Sequence, residues 1–291
     1  MSRNKKLFLI LSALTLVALI AVGVFVIASR QADGADEVEL LKLSQSGLDI
    51  KSRLPTIIAK GGSPNEKPLY GYRSINRACR EGYSAVYFSV RESADGLWLV
   101  SPCDKLSSFT DGRGKISSKT YGEILKYNLK FDGESENDFE KDKVAEFEEA
   151  AKICLDHNVK IYLLIEKASE SGLRKLLDFA GQEDFAYYFS IVSGDAAILE
   201  KVKAHSDQLG RVLFFEADKT NEIGAKPEED QEFLLALDLS KGKAEDNLQT
   251  VRSLKEEGFD LMLFEAGDYD SLKLYFEEGV SLFVSDLILP S

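Results

Sequence analysis

The sequence predicts a closed (β/α)₈ barrel that follows one transmembrane helix. From Pro55 onward, short apolar runs rich in β-branched and aromatic residues alternate with amphipathic helical patterns. Eight such strands indicate a parallel sheet, and 291 residues are enough for one closed barrel, which commonly takes about 250 residues. We therefore divide the chain into a cytoplasmic tip with its anchor (1–30), a linker with one helix (31–54) and the barrel (55–291).

The membrane helix is predicted from Leu7–Ala28, a run of 22 residues without a charge. About 20 apolar residues cross the hydrocarbon core as a helix. The apolar part of a secretory signal has only about 7–15 residues, so we expect an uncleaved anchor. Cleavage near Ser29 or Ala32 is the alternative.

The distribution of charge predicts the orientation of the anchor. Arg3, Lys5 and Lys6 precede the span, and acidic residues follow it from Asp33. The positive-inside rule then places the N-terminus in the cytoplasm and the barrel outside the cell. The chain has 36 Lys and Arg against 49 Asp and Glu, and no acid lies in its first 30 residues. So acidic a barrel surface argues against nucleic acid and anionic lipid as partners.

The barrel strands are predicted from eight apolar runs. They are Thr56–Ala59, Ala85–Val90, Lys160–Ile165, Ala186–Val192, Arg211–Phe215, Phe233–Leu239, Asp260–Phe264 and Ser281–Val284. Amphipathic helices are predicted at Phe139–Asp156, Ser169–Phe179, Ala196–Gln208, Ala244–Glu257 and Tyr269–Glu278.

Two departures from a regular barrel are expected. The pair Asp95-Gly96 predicts a tight turn into an extra strand at Leu97–Ser101, followed by a long inserted loop over 104–136. The sequence also ends directly after the eighth strand, at Ser291. We expect a helix at Asp36–Lys51 to pack beside the first and last strands or to close the barrel bottom.

The three cysteines, Cys79, Cys103 and Cys154, have a spacing that fits neither a zinc site nor a disulfide framework. Isolated buried thiols are the expected state. A Cys79–Cys154 bridge requires that their two helices be neighbours.

Three segments carry a family resemblance. They are Ile-Ile-Ala-Lys-Gly-Gly-Ser at Ile57–Ser63, Asp-Gly-Leu-Trp-Leu-Val at Asp95–Val100, and the closing strand at Gly279–Asp286. Together with the spacing of 82–129, they resemble the glycerophosphodiester phosphodiesterases over nearly all of residues 55–291. The resemblance implies a barrel of the phospholipase C-like phosphodiesterase type. It also implies metal-dependent hydrolysis of glycerophosphodiesters to an alcohol and glycerol 3-phosphate.

The residues that the resemblance assigns to proton transfer are replaced. Lys60 stands where the family has a catalytic histidine, Gly61 where it has an arginine, and Pro102 and Cys103 where it has a His-Asp pair. The resemblance therefore implies a barrel without the family's acid and base groups.

The metal-binding positions are replaced as well. Leu69 stands in place of the glutamate of Pro-Glu-Asn, and Tyr87 and Ser89 in place of the two acids of Glu-x-Asp. Leu164 takes a further glutamate position, although a register shift of two residues would place Glu166 there. We expect no cofactor, or Ca²⁺ or Mg²⁺ if the chain is active.

The two histidines, His157 and His205, are expected on the wrong face of the barrel. His157 precedes the third strand and His205 lies late in a helix, so both lead toward strand N-termini. Barrel active sites form at strand C-termini.

Other polar residues near the strand C-termini form a candidate ligand pocket. They are Lys60, Tyr87, Ser89, Arg91, Asp104, Glu166, Glu216, Asp238, Glu265 and Asp286, with Lys167 beside them. Lys60 could hold an anion, and Tyr87 with Trp98 could offer an aromatic surface to a sugar or lipid head group. Alternatively, Tyr87 fills the barrel centre and the charges form a solvated rim.

The leading hypothesis is a membrane-anchored, extracytoplasmic barrel that has lost the family reaction and binds a glycerophosphodiester, sugar or protein ligand. The first alternative is an active phosphodiesterase with substituted ligands such as Glu66, Asp104 and Glu166. The second is a glycosidase that uses two of the rim carboxylates.

Overall fold

The structure is a computed structural model that describes residues 55–65, 68–130, 142–222, 234–241 and 243–285. The predicted membrane span Leu7–Ala28 and the predicted helix Asp36–Lys51 lie outside these residues. Within the described ranges, no helix has the length and hydropathy needed to cross a membrane.

Eight parallel strands form the closed barrel. In chain order they are β1 (Thr56–Lys60), β2 (Ala85–Glu92), β4 (Lys160–Ile165), β5 (Phe189–Ser193), β6 (Gly210–Glu216), β7 (Leu234–Asp238), β8 (Asp260–Phe264) and β9 (Leu282–Ser285). Each pairs with the next, and β1 pairs with both β2 and β9, which closes the ring. β3 (Trp98–Val100) pairs antiparallel with the end of β2. The predicted barrel and its extra hairpin are confirmed.

The helices lie between the strands. They are α1 (Tyr72–Arg80), α2 (Tyr121–Ile124), α3 (Phe147–Asp156), α4 (Glu170–Ala180), α5 (Ala196–His205), α6 (Ala244–Glu256) and α7 (Tyr269–Glu277). Apart from α2, which belongs to the insertion, their apolar faces pack on the outward side chains of the strands in one large core.

Strand alternation separates this outer core from the barrel interior. Val86, Phe88 and Val90 of β2 belong to the outer core, whereas Ala85 and Tyr87 belong to the interior. This is the predicted orientation of β2. Because paired strands share one register, the orientation of β2 also fixes which residues of the other strands point toward the central axis.

Two predicted elements were placed wrongly at their N-terminal ends. The helix predicted over Phe139–Asp156 begins only at Phe147, because the Glu146 carboxylate accepts hydrogen bonds from the backbone N–H groups of Glu148 and Glu149 and caps the helix. The strand predicted over Ala186–Val192 begins at Phe189, since Ala186–Tyr188 form a 3₁₀ turn.

The insertion after β3 has a small apolar cluster of its own. Leu99, Leu106, Phe109, Ile116, Ile124, Leu129 and Val144 form it. Two 3₁₀ turns and α2 surround this cluster, and Thr120 and Glu123 form a capping box at the start of α2. The described part of the insertion thereby forms a wall beside the C-terminal end of β2.

Candidate functional site

The barrel mouth is formed by the C-terminal ends of the parallel strands. Lys60, Arg91, Glu166, Glu216 and Asp238 continue the inward alternation of β1, β2, β4, β6 and β7 at this end. Charged residues predicted on five separate strands therefore converge on one rim.

Aromatic side chains fill the barrel below the rim. The ring of Tyr87 packs edge-on against Phe264 with centroids 4.8 Å apart, and Phe214 meets Phe264 at 5.5 Å. Tyr87 is buried, and so is Leu164 on the neighbouring strand. The prediction that Tyr87 fills the barrel centre is confirmed. Burial, and next the charge of Glu166, raise the pKa of the Tyr87 phenol far above its usual value, so this side chain stays neutral.

Arg91 occupies the same wall of the mouth as Tyr87 and Ser89. Its guanidinium donates hydrogen bonds to Ser89 Oγ at 2.9 Å and to the carbonyl of Val90 at 2.8 Å. It also forms an ion pair with Glu166 at 2.6 Å. Arg91 is buried while Glu166 is exposed, so the carboxylate bonds the guanidinium at its solvent side.

The other rim carboxylates are also bonded within the chain. Lys60 forms an ion pair with Glu265, which lies 205 residues away in sequence. Glu216 lies 2.6 Å from the ammonium of Lys219 and 2.5 Å from that of Lys241. These two lysines lower the pKa of Glu216 to about 2, which makes it a poor general acid for the predicted glycosidase.

Tyr70 covers the backbone of Gly61, where the resemblance places an arginine. The N–H of Tyr70 donates to the Gly61 carbonyl at 2.9 Å, and the N–H of Gly61 donates to the Tyr87 carbonyl at the same distance. A Cβ on Gly61 would lie 2.8 Å from Tyr70 Cδ1 and closer still to Cε1. The tyrosine ring thus occupies space that a side chain at position 61 would need.

A groove of about 870 Å³ runs from the mouth between the β2–β3 hairpin and the start of α4. Arg91, Asp104, Glu166 and Lys167 line it, as do Pro102 and Cys103, the residues that the resemblance aligns with a His-Asp pair. The structure therefore brings these predicted residues together.

The carboxylates of this groove are held by local donors. Asp104 accepts hydrogen bonds from the backbone and the hydroxyl of Ser117, both at 2.9 Å. Asp95 accepts from Ser93 Oγ at 2.7 Å and from the backbone N–H of Tyr121 at 3.0 Å.

Glu92, Ser169 and Lys175 are groove residues that the sequence analysis missed. Glu92 accepts from the backbone N–H of Ser169 at 2.9 Å and from its hydroxyl at 2.7 Å, and thereby joins β2 to the N-terminus of α4. Lys175 of α4 also lines the groove. The sequence did predict that a helix begins at Ser169. It carried no pattern that would pair Ser169 with Glu92.

Trp98 does not take part in the mouth. It is buried in the outer core, and its indole N–H donates to the carbonyl of Gly172 at 3.0 Å. The predicted aromatic surface of Tyr87 and Trp98 was wrong, because alternate residues of the hairpin point away from the barrel axis.

Both histidines lie on the opposite face, as predicted. His157 ends α3 just before β4, and His205 ends α5 just before β6. His205 Nε2 lies 3.6 Å from Asp178. Neither residue reaches the mouth.

The residues present do not fit the divalent cation that the resemblance implies. Oxygen ligands are what Ca²⁺ and Mg²⁺ require. Tyr87, Ser89 and Leu164 stand at three of the positions that the resemblance assigns to metal ligands, and the cationic Arg91 lies beside them. Over the described ranges, no three His, Cys, Asp or Glu side chains are close enough to hold a metal ion. Glu66 and Asp286 fall outside those ranges.

Similar proteins were found by sequence and by fold. No protein-family model matches the chain. The human protein "Glycerophosphodiester phosphodiesterase 1" is 26% identical over 133 residues, which cover 44% of this chain and 40% of that protein. The mouse protein of the same name is 25% identical over 112 residues, covering 38% and 34%. The matched region thus spans less than half the length of these curated relatives.

Solved structures share the barrel. A putative glycerophosphoryl diester phosphodiesterase from Agrobacterium tumefaciens superposes with a TM-score of 0.65 at 14% identity, over 80% of this chain and 93% of that one. A phosphodiesterase from Oleispira antarctica, in complex with the product sn-glycerol-3-phosphate, superposes with a TM-score of 0.62 at 20% identity, also over 80% and 93%. This chain is therefore similar in sequence to curated glycerophosphodiester phosphodiesterases over part of its length, and it shares its barrel fold with solved ones.

Proposed function

We propose that this barrel binds a small anionic ligand in the groove beside its mouth and does not hydrolyse glycerophosphodiesters. The observation that carries the proposal is the state of the charged groups. The described acids of the rim and groove accept hydrogen bonds or form ion pairs within the chain, whereas two groove lysines have no ion-pair partner among the described residues.

The loss of hydrolysis is supported by what has replaced the metal and proton-transfer groups. The family reaction needs a cation to polarise the phosphodiester and two histidines to move protons. Here Arg91 brings a fixed positive charge to the strand that should carry the Glu-x-Asp ligands, and Glu166 is paired with it. A guanidinium stays protonated, so it cannot exchange a proton with substrate.

The anionic ligand is supported by the unengaged cations. Lys167 and Lys175 line the groove, and among the residues that the structure describes neither has an ion-pair partner. Glu92, Asp95, Asp104 and Glu166 already accept hydrogen bonds from the chain. An anion that enters the groove could therefore pair with Lys167 and Lys175, while the acids of the groove already accept hydrogen bonds within the chain.

The remaining parts of the proposal concern location. The predicted anchor Leu7–Ala28 would hold the barrel on the outer face of the cell membrane, with the N-terminus in the cytoplasm. The ligand would then reach the groove from outside the cell.

One observation favours the alternative of an active enzyme with substituted ligands. Asp104 and Glu166, which that alternative uses, line the same groove. Both oxygens of Asp104 are bonded to Ser117, however, and Glu166 is bonded to Arg91. The two hypotheses differ in one measurable property, which is metal-dependent turnover.

The full chain in detergent is expected to show no hydrolysis of sn-glycero-3-phosphocholine beyond the rate without protein. Product release is measured with Ca²⁺, with Mg²⁺ and with a chelator. The proposal would be overturned by metal-dependent turnover that is lost in Glu166→Gln and kept in Glu183→Gln. Glu183 is an exposed acid outside the groove.

Binding is expected for sn-glycerol 3-phosphate, which we choose as the probe because it carries a phosphate monoester. Calorimetry on the full chain should give an affinity about tenfold weaker for Lys167→Gln/Lys175→Gln, since each exposed ion pair contributes about 0.2–1 kcal/mol. Lys203→Gln, an exposed lysine on α5, is the matched control and should bind normally. Absence of binding to the native chain, or equal affinity in the double variant, contradicts the proposal.

A further inference from the structure

The geometry points to Cys79 and Cys154 as a pair that is oxidised to a buried disulfide, which would join α1 to α3. The two residues are 75 positions apart in sequence, and their sulfur atoms lie 3.8 Å apart. The inference is independent of the proposed ligand. It concerns a covalent modification of the barrel wall.

The surroundings of the two thiols allow the bond to form. α1 and α3 pack against each other on the outside of the barrel, and both cysteines belong to the outer core. Ala150 and Ala151 precede Cys154 by one helical turn and so share its face, where their small side chains let the helices approach closely. A disulfide needs the sulfurs at about 2.05 Å, so they must move together by roughly 1.8 Å. Rotation of the two side chains can supply part of this displacement.

The two thiols are not equivalent. Cys79 is 8% exposed and Cys154 is fully buried. The hydrogen bond between them lowers the pKa of Cys79, while the same contact and burial raise the pKa of Cys154. Cys79 is therefore the thiol that ionises first and the one that an external reagent reaches first.

The reaction needs an oxidant, which we take to be a low-molecular-weight disulfide such as oxidised glutathione. The Cys79 thiolate attacks one sulfur of that disulfide, forms a mixed disulfide and displaces the first thiolate. The Cys154 thiolate then attacks the Cys79 sulfur, and the second thiolate leaves. The protein loses two protons and two electrons. The external disulfide takes up both and becomes two thiols.

Cys103 serves as the internal control. It is half-buried in the groove, and its sulfur contacts the carbonyl of Lys105 at 3.5 Å. It packs against the separate apolar cluster of the insertion and does not lie between α1 and α3. Oxidation should leave this thiol free.

The test is a disulfide map of the full chain after refolding with oxidised glutathione. We expect a peptide pair linked through Cys79 and Cys154, a mass lower by two hydrogens, and one thiol that reacts with an alkylating reagent after denaturation. The link closes a long loop, so the unfolding midpoint should exceed that of the reduced chain by about 5–15 °C.

Two variants separate the bond from a general effect of oxidant. Cys103→Ala should keep both the link and the shift in midpoint, whereas Cys154→Ala should lose both. The map of the native sequence needs no variant, so poor folding of Cys154→Ala does not remove the test. Three reactive thiols after oxidative refolding, or a link through Cys103, would overturn the inference.

Discussion

Replacement of Phe147 by alanine is expected to lower the free energy of unfolding by about 3–5 kcal/mol. The side chain is completely buried at the start of α3. Its ring meets Phe179 of α4 at 5.9 Å and Phe189 of β5 at 6.2 Å, both edge-on. Alanine would remove the apolar area, leave a cavity and break the aromatic contacts among three neighbouring elements.

Urea unfolding of the full chain, followed by far-ultraviolet circular dichroism, measures the effect. Tyr187→Ala is the matched control, because that aromatic side chain is 78% exposed and should lose less than about 1 kcal/mol. Equal losses in the two variants would show that the Phe147 cluster is not a main support of this wall of the barrel.

Replacement of Gly61 by alanine is expected to lower the free energy of unfolding by about 2–5 kcal/mol. Gly61 has a φ of +70°, a region that costs a residue with a Cβ roughly 1–2 kcal/mol. The new methyl group would also overlap the ring of Tyr70, and such overpacking typically costs about 1–3 kcal/mol. The arginine that the family resemblance places here would have to displace the same ring.

A second glycine isolates the backbone cost. Gly258 has a φ of +85°, and a Cβ there would meet nothing within 4 Å. Gly258→Ala should therefore show only the smaller loss of about 1–2 kcal/mol. Combining Gly61→Ala with Tyr70→Ala should cost less than the sum of the single changes, because the overlap is then gone. Strict additivity would contradict the contact between Tyr70 and Gly61.

Much of the barrel was predictable because strand alternation and helix spacing are local properties of the sequence. The β2 pattern of Tyr87 and Ser89 inward with Val86, Phe88 and Val90 outward needed only a period of two. The hairpin was predictable from Asp95-Gly96, since few residue pairs other than glycine-containing ones favour so tight a turn. Helix α3 was predicted to begin too early, because glutamate is common inside helices and Glu146 gave no sign of a boundary. Only the hydrogen bonds that its carboxylate accepts from Glu148 and Glu149 mark it as the residue before the first turn.

The candidate site was less predictable because its contacts join distant parts of the chain. That Lys60, Arg91 and Glu166 would lie near strand ends followed from the pattern. That Lys60 pairs with Glu265, and Arg91 with Glu166, depends on loop geometry that no local pattern carries. The hydrogen bond from Ser169 to Glu92 and the burial of Trp98 against Gly172 also join residues that are far apart in sequence, so no local pattern predicts them.

The rings of Tyr87, Phe214 and Phe264 have a consequence for how this barrel can acquire specificity. These rings fill the barrel interior along its central axis, so a solute cannot enter between the strands. It must be recognised by the segments that border the opening. Those segments can change in length and composition while the strands keep the sequence that folding demands. Selectivity and stability are thereby encoded in different stretches of this polypeptide.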